Sequence, residues 1–87
     1  MAYGILIRPS ALKELRRVPA RDSLRIQSRV DALARDPRPH GSEKMAGGER
    51  EYRLRVGDYR VIYSVDDAAR LVTIQKVGHR GDVYRGR

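Results

Sequence analysis

Residues 52–65 read Tyr-Arg-Leu-Arg-Val-Gly-Asp-Tyr-Arg-Val-Ile-Tyr-Ser-Val, alternating apolar and polar on both sides of Gly57-Asp58. A Gly-Asp pair between two alternating runs is a strong signal for a two-residue β-hairpin. With those two residues as the loop, 56 pairs with 59, 55 with 60, 54 with 61, 53 with 62 and 52 with 63. Directly opposed residues share a face. One face then carries Tyr52, Leu54, Val56, Tyr59, Val61, Tyr63 and Val65, which is the material of a core. The other carries Arg53, Arg55 and Arg60, with Arg55 and Arg60 opposed. Like charges opposed across strands are destabilising, so the pair predicts an anion between them.

The remaining elements follow from periodicity and punctuation. Residues 2–8 predict a short strand with Tyr3, Ile5 and Ile7 on one side. Pro9-Ser10 opens a helix to about Arg17, with Leu12, Leu15 and Val18 as its apolar stripe. Pro19 breaks it and begins a second helix to about Arg35, burying Ile26, Val30, Leu33 and Ala34. Arg21, Arg25 and Arg29 recur every fourth residue on one exposed face of that helix, either as a solvated face or as a phosphate-contacting stripe. A loop from Asp36 to about Arg50 follows. Glu43 to Ala46 forms a short turn or strand within it, Met45 plugs into the core and Gly47-Gly48 is a joint.

After the hairpin, Asp66 to Ala69 turn the chain and Arg70 to Val77 return as a third strand. Extending the register puts 61 opposite 74 and 63 opposite 72. Val72 and Ile74 then join the core face, and Thr73 and Gln75 the cationic face, with Gln75 beside Arg60. Gly78 to Asp82 form a loop, and residues 83–85 a last short segment. The expected architecture is α+β, in the order β-α-α-β-β-β. Two N-terminal helices pack on one face of a small, mainly antiparallel sheet, and the other face is left cationic and open.

An 87-residue chain is expected to make a single domain spanning residues 1–87. Its formal charge is +8, from 19 cations and 11 acids. Sixteen of those cations are arginine. Both halves are basic, so the excess is spread through the domain, as suits a polyanionic partner, nucleic acid or an acidic protein segment. The absence of cysteine excludes disulfides and thiolate chemistry. Two histidines make a zinc site improbable, and no metal or cofactor is expected. No apolar stretch approaches a membrane span, and the chain is expected to be cytoplasmic.

Three groups of residues are candidates for chemistry. Arg53, Arg55 and Arg60 bind phosphate bidentately and keep their charge at physiological pH. They suit a role in holding a phosphate and stabilising a phosphorane-like transition state. His79, Arg80 and Tyr84 follow the third strand. His79 supplies an imidazole, the side-chain type suited to proton transfer, Arg80 is a further phosphate ligand, and Tyr84 stacks on a base or donates a proton. Gln75 and Arg85 are further candidate RNA contacts. Glu49 and Glu51 are weaker candidates for a general base, and His40 reads as a solvent-exposed loop residue. If the polyanion is RNA, the 2′-hydroxyl is a built-in nucleophile. Attack on the adjacent phosphate leaves a 2′,3′-cyclic phosphate and a 5′-hydroxyl, and needs alignment, charge neutralisation and two proton transfers.

Lys44-Met45-Ala46-Gly47, the run Tyr52 to Tyr63, Val77-Gly78-His79-Arg80 and Asp82-Val83-Tyr84 together resemble the RelE toxins of the RelE/ParE superfamily. These are the toxin halves of type II toxin–antitoxin modules. The resemblance covers essentially the whole chain, and the His-Arg…Val-Tyr ending favours the RelE branch. It implies a ribosome-dependent endoribonuclease that cleaves mRNA in the A site by 2′-hydroxyl attack. Arg53 and Arg55 match positions that are lysines in the best-known member and help activate the nucleophile. Arg60 matches the arginine that stabilises the transition state. Arg80 matches an arginine that contacts the phosphate or leaving group, and Tyr84 the tyrosine that stacks on the scissile nucleotide. The lysine-to-arginine changes remove a lysine base and move proton transfer towards His79, which stands where that member has lysine. The resemblance also implies a cognate antitoxin, whose flexible, acidic segment covers the toxin in a hetero-oligomer. A ParE-like gyrase poison and a non-catalytic basic RNA-binding module are the competing readings.

Overall fold

A computed structural model describes residues 2–46 and 50–79. The element order is β1 (Gly4–Ile7), α1 (Pro9–Arg16), α2 (Ala20–Ala32), β2 (Ser42–Lys44), β3 (Glu51–Val56), β4 (Tyr59–Asp66) and β5 (Leu71–His79). The strands form one mixed sheet in the order β1-β5-β4-β3-β2. Only β1 runs parallel to its neighbour, β5, and the other pairs are antiparallel. A three-residue strand, β2, thus forms in the loop where sequence left turn and strand open, pairing Glu43 with Arg53.

The hairpin forms in the expected register, with Val56 opposite Tyr59, Arg55 opposite Arg60 and Tyr52 opposite Tyr63. Gly57 takes φ +59°, a conformation that L side chains rarely adopt. Among the described residues no other position of this turn has positive φ, so Gly57 at the first loop position fits a type II′ turn.

Both helices lie over the face made of Leu54, Val56, Val61, Tyr63, Val65, Val72, Ile74 and Val77, contributing Ala11 and Leu15 from α1 and Ile26 and Val30 from α2. Burying each aliphatic side chain contributes about 1.5–3 kcal/mol, so this face decides how the sheet is oriented. The stripe of α1 sits one residue from expectation: Ala11 is fully buried, and Leu12 is 37% exposed. Met45, expected as a core plug, is half-buried and outside the core cluster. Gly47 and Gly48 lie outside the described residues.

The register between β4 and β5 departs from simple counting. Tyr63 opposes Ile74 and Val65 opposes Val72, a shift of two residues from the expected pairs. The pairing also slips between Ile62 and Tyr63: Ile62 opposes Lys76, so Gln75 is an extra residue on β5. Such a bulge reverses the side-to-side alternation of everything beyond it. Val72 and Ile74 remain on the core face as expected, while Val77 and the residues after it change sides.

Candidate nucleic-acid interface

Arg55 and Arg60 stand opposite each other at the hairpin end of the sheet, on the face turned away from the helices. Arg55 is exposed and Arg60 half-buried. Among the described residues neither enters an ion pair, and the Arg60 Nη1 donates only to the Tyr59 carbonyl at 3.3 Å. Gly78, opposite Arg60, brings no side chain to the pair. Two arginines stand directly opposite each other, and among the described residues no carboxylate neutralises either.

Arg53 differs. Its Nη2 donates to Glu43 Oε1 at 3.1 Å, so the short edge strand β2 supplies the counter-charge. The expected trio is therefore a pair plus a tethered neighbour. Gln75 is not beside Arg60. As the bulge residue, it donates from Nε2 to Ser64 Oγ at 3.1 Å and accepts from Arg8 Nη1 at 2.9 Å. Nor is the whole face open, because Ile62 in its middle is 2% exposed.

His79 does not join the arginine pair. It opposes Tyr59, and its ring packs edge-on against that tyrosine with centroids 5.5 Å apart. Tyr59 packs against the helix-side core, so His79 belongs to that face. The bulge at Gln75 is the cause: without it, His79 would have shared the side of Thr73 and Arg60. A small cleft of about 240 Å³ on the helix side brings His79 and Tyr59 next to Glu14, Arg17 and Lys76. Arg80, Tyr84, Arg85 and Glu49 lie outside the described residues. Glu51 begins β3 opposite Ser64, half-buried, and His40 is an exposed loop residue.

Two groups that fasten the sheet, one near each end, escaped the sequence reading. One is Glu14. Strand β1 ends at Ile7, and the Arg8 amide donates to Ile74, so β5 runs on without that neighbour. Glu14 Oε1 accepts the Val77 amide at 2.9 Å, and Oε2 lies 4.0 Å from Lys76 Nζ. Its sequence signal was an acid inside the Ala11–Leu15–Val18 stripe. The other is Arg38, which sits between two prolines. It donates to both carboxylate oxygens of Asp67 (2.7 and 3.3 Å) and to Tyr52 Oη (2.9 Å), beneath a Tyr3 hydroxyl that also donates to Asp67.

Comparisons with known proteins bear on the family and the fold. Residues 5–84 match the model of the ParE toxin of the type II toxin–antitoxin system parDE. Toxin RelG of Mycobacterium tuberculosis is 29% identical, the match covering 98% of this chain and 99% of that protein. The toxin of the archaeal RelE–RelB complex from Pyrococcus horikoshii OT3 superposes with a TM-score of 0.83 at 33% identity, over 94% of this chain and 99% of that one. The intact Escherichia coli RelBE toxin–antitoxin complex gives 0.78 at 28% identity, over 90% of this chain and 96% of its counterpart.

Proposed function

Because the chain belongs to the RelE/ParE superfamily of type II toxin–antitoxin toxins, we propose that it is a ribosome-dependent mRNA endoribonuclease acting without a metal ion. The observation that carries the reading is the opposed pair Arg55 and Arg60, with no carboxylate partner among the described residues. Guanidinium forks match phosphate oxygens bidentately. Two of them across one ladder step hold a single phosphate and take up the charge that develops when the 2′-hydroxyl attacks. Attack forms the bond from the 2′-oxygen to phosphorus and breaks the bond to the 5′-oxygen, leaving a 2′,3′-cyclic phosphate and a 5′-hydroxyl.

Arg53 flanks that phosphate site from its tether on Glu43. Arginine is a poor base because its pKa lies above about 12. His79 faces Tyr59 on the other side of the sheet, so the reading rests on clamping and charge stabilisation rather than on a histidine beside the phosphate. Arg80 and Tyr84 keep the roles that the resemblance implies, a phosphate or leaving-group contact and a stacking platform. The partner we assign is a cognate antitoxin with an acidic, flexible segment. Its support is that similar solved structures are toxin–antitoxin complexes, together with the +8 charge of this chain.

The name of the matching family model and the turned-away His79 favour one competitor, a gyrase poison without nuclease activity. Induction in cells separates the two. A ribosome-dependent nuclease stops translation first and leaves mRNA ends phased to codons. Early DNA breaks with translation spared would replace this reading by the competitor.

A further inference from the structure

The arginine stripe on α2 is not part of the site described above, yet the hairpin turn connects the two. Arg21, Arg25 and Arg29 are exposed, and among the described residues none is in an ion pair. Four-residue spacing sets them about 6 Å apart along the helix. Arg25 reaches across to the hairpin, where its Nη1 lies 3.3 Å from the place a Cβ on Gly57 would occupy. Leu24, Arg25, Ser28, Arg29 and Val56 line one shallow depression, so the helix face and the end of β3 form a continuous surface. Beyond that turn stand Arg55 and Arg60. Gly57 thus has two uses: it takes the positive φ of the turn and leaves room for the guanidinium.

We infer that this band is a nucleic-acid backbone path, along which an RNA strand seated at Arg55 and Arg60 passes over the hairpin turn onto Arg25, Arg21 and Arg29 of α2. The path rests on reading the arginine pair as a phosphate site. Protein interfaces are built around a buried apolar core, and among the described residues Leu24 is the one large exposed apolar side chain on this band. What the band offers is repeated guanidinium at regular spacing, the means by which proteins hold phosphates without reading sequence.

The test is binding of the full chain to a short 2′-O-methyl RNA, which lacks the nucleophile and is not cleaved, across about 50 to 200 mM salt. Each phosphate contact on a single strand contributes about 0.7 to the slope of log K against log salt. The triple variant Arg21→Gln, Arg25→Gln, Arg29→Gln is expected to lower that slope by about 2 and to weaken unrelated sequences equally. All three positions are exposed, and an unchanged melting temperature checks that the fold is intact. An unchanged slope overturns the inference. So does a variant that keeps RNA binding while losing binding to polyglutamate, which makes the face a protein surface. A paired Arg55→Gln, Arg60→Gln variant is measured alongside. If it leaves the slope intact while the triple variant lowers it, the phosphate-site reading fails and the continuous path with it, although α2 still binds RNA.

Discussion

The two ends of this sheet use arginine in opposite ways. At the end remote from the hairpin turn, Arg38 is surrounded by partners: both oxygens of Asp67, the hydroxyl of Tyr52 and the face of that ring, 5.4 Å from its centroid. At the hairpin end, Arg55 and Arg60 face each other, and among the described residues neither has a carboxylate. The first arrangement joins β1, the 36–40 loop, β3 and the β4–β5 turn through Tyr3, Arg38, Tyr52 and Asp67. The second leaves a concentrated charge that no described residue pairs with. Residue type alone does not separate a structural arginine from a functional one; the company each keeps does.

The largest expected effect tests that division directly. Arg60→Ala is expected to lower codon-phased mRNA cleavage by roughly a hundredfold or more, the scale of losing one group that stabilises developing charge. Its melting temperature stays within the small range of an ordinary surface substitution. Arg38→Ala is expected to do the reverse, lowering the melting temperature by several degrees while growth arrest persists. Rate measurements on purified variants, together with thermal melts, check both. The comparison breaks if Arg38→Ala abolishes cleavage in a protein of unchanged stability, or if Arg60→Ala unfolds the chain.

A smaller effect appears in acid. The Asp67 carboxyl is held below its ordinary 3.8, chiefly by the hydrogen bonds from Arg38 and then by that from Tyr3. A carboxylate whose pKa is depressed by folding contributes stability above its unfolded pKa and loses it as pH falls through the folded value. The wild-type chain should therefore lose stability faster than Asp67→Asn as pH drops below about 4, with the two curves running parallel above that. Tyr3 mirrors this at the alkaline side. Its hydroxyl pKa is raised by donating to Asp67, so its contribution persists below pH 10 and fades above. Denaturant melts between acid and neutral pH check the first, and parallel curves throughout would remove Asp67 from the fastening.

How far sequence reached depended on whether a feature was local. The Gly57 hairpin, its register and the opposed Arg55 and Arg60 were legible because turn chemistry and alternation are written within fourteen consecutive residues. The helices were legible from their apolar spacing and from Pro9 and Pro19. The bulge at Gln75 was not, since an inserted residue in β5 has no signature except against its partner strand. That one residue moved His79 to the other face, and the two-residue register shift set at the β4–β5 turn carried Gln75 away from Arg60. The tether of Arg53 likewise depended on β2, three residues whose pairing comes from long-range contact with β3. Arg38 sits between prolines with nothing nearby to announce Asp67, twenty-nine residues away.

The smallest expected effect lies in the turn that presents Asp67. Asp66 Oδ1 accepts the Ala69 amide at 3.0 Å, and the Arg70 amide donates to the Asp67 carbonyl at 3.3 Å, so the turn 67–70 is well determined. The turn closes with Arg70 at φ +51°, the single non-glycine residue with positive φ among the described residues. Left-handed backbone costs an L residue about 1–2 kcal/mol. Glycine at that position removes this cost but adds roughly 0.5–1 kcal/mol of chain entropy to the unfolded state. Arg70 is exposed and its side chain makes no ion pair among the described residues, so the two terms decide the outcome. Arg70→Gly is expected to stabilise the chain by about 0.5 kcal/mol, a rise of about 2–4 °C in melting temperature for a domain of this size. Because the turn is far from the arginine pair, that gain should add to the Arg60→Ala background without change. A double variant whose stability departs from the sum would show that the two ends of the sheet are coupled, and that fastening at one end helps set the charge geometry at the other.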